Sequence, residues 1–519
     1  MRILERGARR VLTALDATAT RLYGWAWNPV HQTGTVAMAM LAVLIVTGLY
    51  LVMFYRVGSP AASVARLAAD PWLGSWVRSL HRYASDLFVV AAAVHAFRMF
   101  AQSRSWGPRA VAWLSGLVAF AAGVACAWTG FVMAWDTFGE RLAREGSRLL
   151  DVLPIFSEPL SRIFAGDGPV PSAFFFVNLF VHIALPLGMA VALWLHVSRV
   201  ARPVLLPPKR LLWGIIGTLT AASVVLPAPL GEPANAFALG RTTPTDLIVA
   251  WWLPLSERLT AGEVWGAMIV IALVAVSVPR VMRRPREGRL APSVVDPRLC
   301  TGCNQCPQDC PWEAITMVPR EDDRPTLLAQ VDPERCVSCG LCAGSCAPMG
   351  VGPPGRSGRD QLAAARSALD VGRVDGLPIV AICCEQVPRG HAAELRGRGV
   401  FVHSVSCVGN LHSSVIELFV RQGATGVIVF GCPPRDCVSR EGPKWLHERV
   451  FNDREAELQP RVDRRRVRIA TAAPGDQAGT VAALGSFARE LAALERPDRA
   501  GSATFELACD AVASAEPAS

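Results

Sequence analysis

"HRYASDLFVVAAAVH", His81 to His95, is an apolar run with a histidine at each end. The two histidines stand fourteen residues apart. At about 100° per residue that is nearly four helical turns, so both rings share one face, about 21 Å apart along the axis. A second stretch, "HIALPLGMAVALWLH", repeats the spacing with His182 and His196. Two such helices running antiparallel bring the four rings together as two pairs, His81 with His182 and His95 with His196. Each pair can supply both axial ligands to one haem iron. Isolated core or interfacial histidines are the plainer alternative. Ionisable residues inside a bilayer are costly and normally functional, and two matched pairs weigh against that alternative.

Glycines keep the same phase. Gly34 and Gly48 lie in the apolar run before this stretch, Gly116 and Gly130 in the run after it, each pair again fourteen apart. A haem is flat and wide, and a helix beside it must lack side chains where it lies, which glycine permits. Each haem plane is thus expected to have one glycine from each of these runs near its edge. Glycine also serves helix packing in membranes, so either pair alone would say little.

The 519 residues suffice for about three domains. Uncharged runs concentrate between residues 34 and 280, and residues 281–519 alternate apolar and charged like a soluble protein. Four stretches reach spanning length, at 34–55, 77–100, 110–135 and 171–198, and two shorter ones lie at 211–227 and 264–279. The expectation is a bundle of about six transmembrane helices. "MRILERGARR", "FRMFAQSRSWGPR", "SRVARPVLLPPKR" and "PRVMRRPREGR" are basic and all fall on one side, which predicts cytoplasmic ends and an inner-membrane location. The net charge of +9 is read as this topology signal and not as a nucleic-acid footprint. Residues 1–33 lack the apolar core and cleavage site of a secretory signal. They are expected to form an interfacial helix, with Arg2, Arg6, Arg9 and Arg10 at lipid phosphates.

Residues 24–200 resemble the cytochrome b of quinol-oxidising cytochrome bc complexes. The matching segments are "HRYASDLFVVAAAVHAFR", "WTGFVMAWD" and "FFFVNLFVHIALPLGMAVALWLH" with its central Pro186. The resemblance implies two b-type haems held by His81, His95, His182 and His196. It also implies that Arg82 lies near a haem propionate; a helix-end arginine snorkelling to the interface is the alternative. "EPANAF" resembles the loop before the family's Pro-Glu-Trp-Tyr quinol motif, but the corresponding place reads Pro244-Thr245-Asp246-Leu247. The family's proton-accepting glutamate is therefore out of register. Asp246 is expected to be a solvated loop aspartate, and Asp86, just over one turn beyond His81, is a second candidate acceptor.

Fourteen of the fifteen cysteines lie beyond residue 299. "CTGCNQCPQDCP" and "CVSCGLCAGSCAP" both read C-x2-C-x2-C-x3-C, the spacing of a two-cluster 4Fe–4S ferredoxin. Three closely spaced thiolates wrap one cube and the fourth comes from the partner motif. One cluster is expected on Cys300, Cys303, Cys306 and Cys346, the other on Cys336, Cys339, Cys342 and Cys310. Paired zinc sites are the rival, but they typically use CxxC pairs. Proline follows Cys310 directly and Cys346 one residue late. No CxxCH or Walker loop occurs.

Beyond residue 358, "LPIVAICC", "GVFVHSVSC" and "GVIVFGC" are β-rich and each ends in cysteine, while "NLHSSVIELFVRQGA" has a helical period. "RRVRIATAAP" reads as a fourth strand. Alternation of strands and helices predicts a parallel sheet. Ligands collect at the carboxyl ends of such strands, where Cys383, Cys384, Cys407, Cys432 and Cys437 fall. That suits an iron–sulfur cluster, expected to be 2Fe–2S; zinc or inert buried thiols are the alternative. Residues 378–456 resemble the iron–sulfur (delta) subunit of methyl-viologen-reducing hydrogenases, most closely in "VIVFGCPPRDC" with "VHSVSC" before it. The resemblance implies a 2Fe–2S cluster and transfer to a heterodisulfide-reductase flavoprotein. The family's second cysteine is replaced here by Val387. The expected ligands are Cys384, Cys407, Cys432 and Cys437, with Cys383 as a substitute.

The expected organisation is multidomain: an interfacial helix (1–33), a cytochrome b-like four-helix di-haem bundle (34–200) and two further transmembrane helices (201–285). A ferredoxin-like α+β cluster domain (291–352), an α/β parallel-sheet domain (358–497) and a disordered tail (498–519) follow. The expected cofactors are two b-type haems, two 4Fe–4S clusters and one 2Fe–2S cluster, with quinone as substrate. The expected partners are the lipid bilayer, quinone or quinol, a cytoplasmic flavoprotein or heterodisulfide-reductase-like subunit, and a second copy of the chain, but not nucleic acid. The function read from these parts is electron transfer between a cytoplasmic oxidoreductase and the quinone pool. A bc-type quinol oxidase and a redox sensor without turnover are the rivals.

Overall fold

The computed structural model describes residues 2–154, 158–164, 169–200, 203–234, 246–283, 290–322, 324–371, 379–434 and 436–495. Pro244, Thr245 and the tail at 498–519 lie outside them. The chain divides into two compact units, Met1–Leu12 with Gln32–Arg283, and Thr13–His31 with Arg284–Ser519.

The first unit is helical. After α1 (Arg2–Tyr23), which belongs to this unit only as far as Leu12, come α2 (Thr33–Phe54), α3 (Pro60–Ala69), α4 (Gly74–Ala101), α5 (Ala110–Ala134), α6 (Thr137–Leu150) and α7 (Ser172–Ser198). Then follow α8 (Lys209–Val225), the short α9 (Leu253–Ser256) and α10 (Ala261–Val281). Among the described residues, five segments are long and apolar enough to cross a membrane, ending in α2, α4, α5, α7 and α10. The expected sixth, α8, forms but has only 17 residues, the lower end of spanning length. α2 packs along α4, and α5 along α7. The amphipathic α6 starts where the Asp136 carboxylate accepts from the Gly139 N–H at 2.8 Å. α10 starts at a capping box of Thr260 and Glu263.

The second unit contains the strands. β1 (Val294–Val295), β2 (Ile315–Val318), β3 (Leu328–Val331) and β4 (Val351–Gly352) form two small antiparallel sheets, β1 with β4 and β2 with β3. The helical turns α11 (Gln305–Asp309) and α12 (Leu341–Gly344) follow the two cysteine loops. Gly302 and Asn304 flank Cys303, and Ser338 and Gly340 flank Cys339, all four at positive φ. The two loops thus share one backbone path, in which Cys303 and Cys339 occupy equivalent places.

After α13 (Gly358–Val371) comes an α/β domain. It contains β5 (Ile379–Cys384), α14 (Arg389–Gly397), β6 (Phe401–Val405), α15 (Ser413–Arg421) and β7 (Gly426–Gly431). It ends with α16 (Gly442–Phe451), β8 (Val467–Thr471) and α17 (Gln477–Glu495). The four strands are parallel, in the order β6-β5-β7-β8. β5 and β7 are buried throughout, as central strands covered on both faces must be. From β5 the chain steps to β6 on one side, then crosses back to β7 on the other, so strand order reverses between β5 and β7. Such a switch point leaves a crevice at the carboxyl ends.

Phe419 of α15 is fully buried in the core of this domain, with Phe401 and His403 packed on its ring. Phe419→Ala is expected to cost about 3–5 kcal/mol. Hydrogen exchange of the β5 and β7 amides in the full chain should then accelerate while the membrane helices stay protected.

Candidate redox centres

In the first unit α4 and α7 are not among the closely packed helix pairs. What approaches across the gap is imidazole. The ring centroids of His81 and His182 lie 6.4 Å apart, those of His95 and His196 6.3 Å. A metal binds imidazole nitrogen at about 2 Å, and that nitrogen lies about 1 Å from its ring centre, so two rings clamping one ion stand about 6 Å apart. Both pairs meet that requirement.

In three of the four rings the other nitrogen is already committed. His182 Nδ1 faces the Cys126 carbonyl at 3.0 Å and Thr129 Oγ1 at 3.0 Å. His196 Nδ1 faces the Ala112 carbonyl at 2.6 Å. His81 Nδ1 faces Thr47 Oγ1 at 2.8 Å, and that hydroxyl donates to the Val43 carbonyl. Donation from Nδ1 leaves Nε2 as the free lone pair and fixes the ring, as metal-ligating histidines require.

The four glycines lie against these rings. A Cβ on Gly34 would stand 2.8 Å from His95, and one on Gly48 3.3 Å from His81. On Gly116 and Gly130 it would stand 3.1 Å from His196 and His182. The space that glycine frees is taken by the imidazole edge, so α2 serves the α4 rings and α5 the α7 rings.

Arg82 is held between Asp86 and Asp246, with its guanidinium 4.3 Å from the Phe131 ring centre. Asp246 is not the solvated loop residue expected from sequence. Its Oδ1 accepts from the N–H groups of Ile248, Val249 and Ala250, and its Oδ2 from Arg82 at 2.5 Å. Its lone pairs are consumed in closing a turn and pairing an arginine. Sequence could not show this, because Arg82 lies 164 residues away.

In the second unit the thiols gather into three cages. Cys306 neighbours Cys300, Cys303 and Cys346, and the four line one cavity with Val295 and Met317. Cys342 neighbours Cys336 and Cys310, and Cys339 neighbours Cys342 and Cys310. In the third cage Cys384 touches Cys407 and Cys432, and Cys437 touches the same two, closing a ring. The Cys384 and Cys432 sulfurs are 3.8 Å apart, at the switch point between β5 and β7.

Cys383 is left out. Successive strand residues face opposite sides, and Cys383 lies toward Arg396 of α14.

The donor chemistry fits iron–sulfur clusters. Burial pushes the Cys342 thiol up to about 12, and Cys306, Cys336 and Cys310 add to the rise against a hydrogen bond from Ser293. Cys306 is pushed up by burial and then by Cys346, Cys303 and Cys300. Thiols so crowded ionise together only around positive charge, which iron provides. In the third cage Cys407 alone is held well below the ordinary thiol range, because Cys384 and Cys437 donate to it. Backbone N–H groups aim at the sulfurs, from Ala314 to Cys310 at 3.4 Å, Gly350 to Cys346 at 3.2 Å and Gly409 to Cys407 at 3.4 Å.

Cys432→Ser is expected to lower the iron and acid-labile sulfide of purified protein, and Cys383→Ser to leave both unchanged. Equal losses in the two variants would contradict this division of the pair at 383 and 384.

Three family models match the chain. Residues 23–202 match cytochrome b/b6/petB. Residues 299–350 match the 4Fe-4S dicluster domain. Residues 379–495 match the methyl-viologen-reducing hydrogenase, delta subunit. Among solved structures, a chain described as a hyperthermophilic respiratory complex III is similar at 15% identity and TM-score 0.40, over 49% of this chain and 75% of that one. The chain thus carries a cytochrome b region, a 4Fe-4S dicluster region and a hydrogenase delta-subunit region in that order, and is a multi-pass membrane redox protein whose first part implies haem and whose second implies iron–sulfur clusters.

Proposed function

We propose that this protein carries single electrons between a soluble cytoplasmic oxidoreductase and the membrane quinone pool. The observation that carries the reading is the unbroken row of thiol cages. Cys306 neighbours Cys342, and Cys339 packs with Leu341, Cys407 and Trp445. The Cys300, Cys336 and Cys384 sets therefore follow one another with no gap between neighbouring cages.

Haem iron and iron–sulfur clusters supply reversible one-electron steps when bound. The residues hold, orient and insulate them. His81 with His182, and His95 with His196, hold two b-type haems about 21 Å apart along the helices. The first two thiol cages hold 4Fe–4S clusters, and the third, on Cys384, Cys407, Cys432 and Cys437, holds a 2Fe–2S cluster. The third cage's position at one end of the row suits docking of a soluble partner at the α/β domain. The basic loops support a cytoplasmic location for both chain ends. In α1, Leu4, Val11, Leu15 and Leu22 form one exposed apolar stripe, which supports a helix lying in the membrane interface.

The engagement of Asp246 with Arg82 and three backbone N–H groups favours this reading over quinol oxidation with Asp246 as proton acceptor.

Cys407→Ala tests the row. Haem reduction by a quinol analogue is expected to persist, and haem reduction by a soluble low-potential donor to fall at least tenfold in stopped-flow spectroscopy. Unchanged donor-driven reduction would overturn the proposal.

A further inference from the structure

Arg449 of α16 has no function in the scheme so far, and its placement is unusual. Its side chain is 1% exposed. Nη2 donates to the carbonyls of Gly409 at 2.7 Å and Leu411 at 3.3 Å. Nη1 donates to Ser345 Oγ at 3.3 Å and lies 3.8 Å from Asp309 Oδ2. Nε is buried with no acceptor among the described residues.

These partners adjoin cluster ligands. Asp309 precedes Cys310, and Ser345 precedes Cys346, the two cysteines that cross between the ferredoxin motifs. The Ser345 hydroxyl donates to Asp309 Oδ2 at 2.5 Å, tying the crossing points together. Gly409 follows Cys407 by two residues, and its N–H donates to the Cys407 sulfur. A Cβ on Gly344 would lie 2.6 Å from Arg449 Nη2, so the ferredoxin loop leaves room for the guanidinium. Arg454 also reaches Asp309, at 2.5 Å from Oδ1. Two guanidinium groups thus face one fully buried carboxylate, leaving net positive charge beside the second and third cages.

A buried charge acts through a low dielectric and is felt more strongly than one in water. A cluster gains one negative charge on reduction, and its potential follows net charge and hydrogen bonding nearby. We propose that Arg449 is a potential-setting residue, the fixed cation that stabilises the reduced form of the cluster on Cys384, Cys407, Cys432 and Cys437 and of the neighbouring cube on Cys310, Cys336, Cys339 and Cys342. Asp309 opposes it. The inference rests on the cluster assignments of the proposed function. A strut that merely pins the two domains together would use the same contacts, but it would not give opposite effects for the two charges.

The test is an EPR-monitored redox titration of the full-length protein in detergent, with iron and sulfide measured on every sample. Arg449→Met should lower the potential of the third cluster, Asp309→Asn should raise that of the neighbouring cube, and Arg449→Lys should stay near the parent. A tenfold change in the reduction equilibrium reads as about 59 mV for one electron. If Arg449→Met fails to fold, Arg449→Gln, which keeps hydrogen-bond donors but no charge, takes its place, and a lowered potential of the third cluster supports the proposal while an unchanged one overturns it. Shifts in the same direction for both charge-removing variants, or none with clusters present, overturn the inference and leave the electron-carrying reading intact. Clusters absent from the parent protein overturn both.

Discussion

Two imidazole pairs span a gap that the helices themselves do not close. α2 with α4 and α5 with α7 are intimate pairs, whereas α4 and α7 approach mainly through rings 6.4 and 6.3 Å apart. Their Nδ1 atoms at His81, His182 and His196 are turned to oxygen partners. In an apolar bundle a bare nitrogen lone pair facing another is costly. A metal between them would remove that cost, and on the proposed reading the bundle's interior geometry serves to hold two haems. The glycines are the other half of the same constraint, because a methyl group at any of the four would press on a ring.

The thiol unit follows the same logic with more ligands. Buried sulfurs in groups of four are unfavourable as anions unless iron lies among them. Arg449 is a buried cation among them, with Asp309 and Ser345 around it. Two domains of different architecture therefore share one electrostatic problem where their cages meet. The parallel sheet contributes a crevice at the switch between β5 and β7, and the ferredoxin loops contribute paired positive-φ turns.

Much of this was legible in the sequence because periodicity and spacing carry it. The fourteen-residue interval places histidines and glycines on shared helix faces, and the C-x2-C-x2-C-x3-C repeat is itself a ligand pattern. Three of the four parallel strands were readable from β-branched runs ending in cysteine, and the fourth from the β-branched run in "RRVRIATAAP". Other features had no local signature. Asp246 acquires its role only when Arg82 arrives from another helix. Arg449 sits in an ordinary-looking "GPKWLHERVF", and only tertiary contacts make it a buried cation. Strand alternation could have separated Cys383 from Cys384 in advance, since adjacent residues cannot face one site. Helix α8 reads as a span by composition, but at 17 residues it falls below the other five.

The most direct test is the haem itself. Low-temperature EPR and reduced-minus-oxidised absorption of the purified protein, with haem quantified chemically, should show two b-type haems per chain, both low-spin with two imidazole ligands. Each signal should vanish separately, one in His182→Ala and the other in His196→Ala. High-spin iron in the parent, haem that survives both substitutions, or protein that carries no haem would contradict the account at its root.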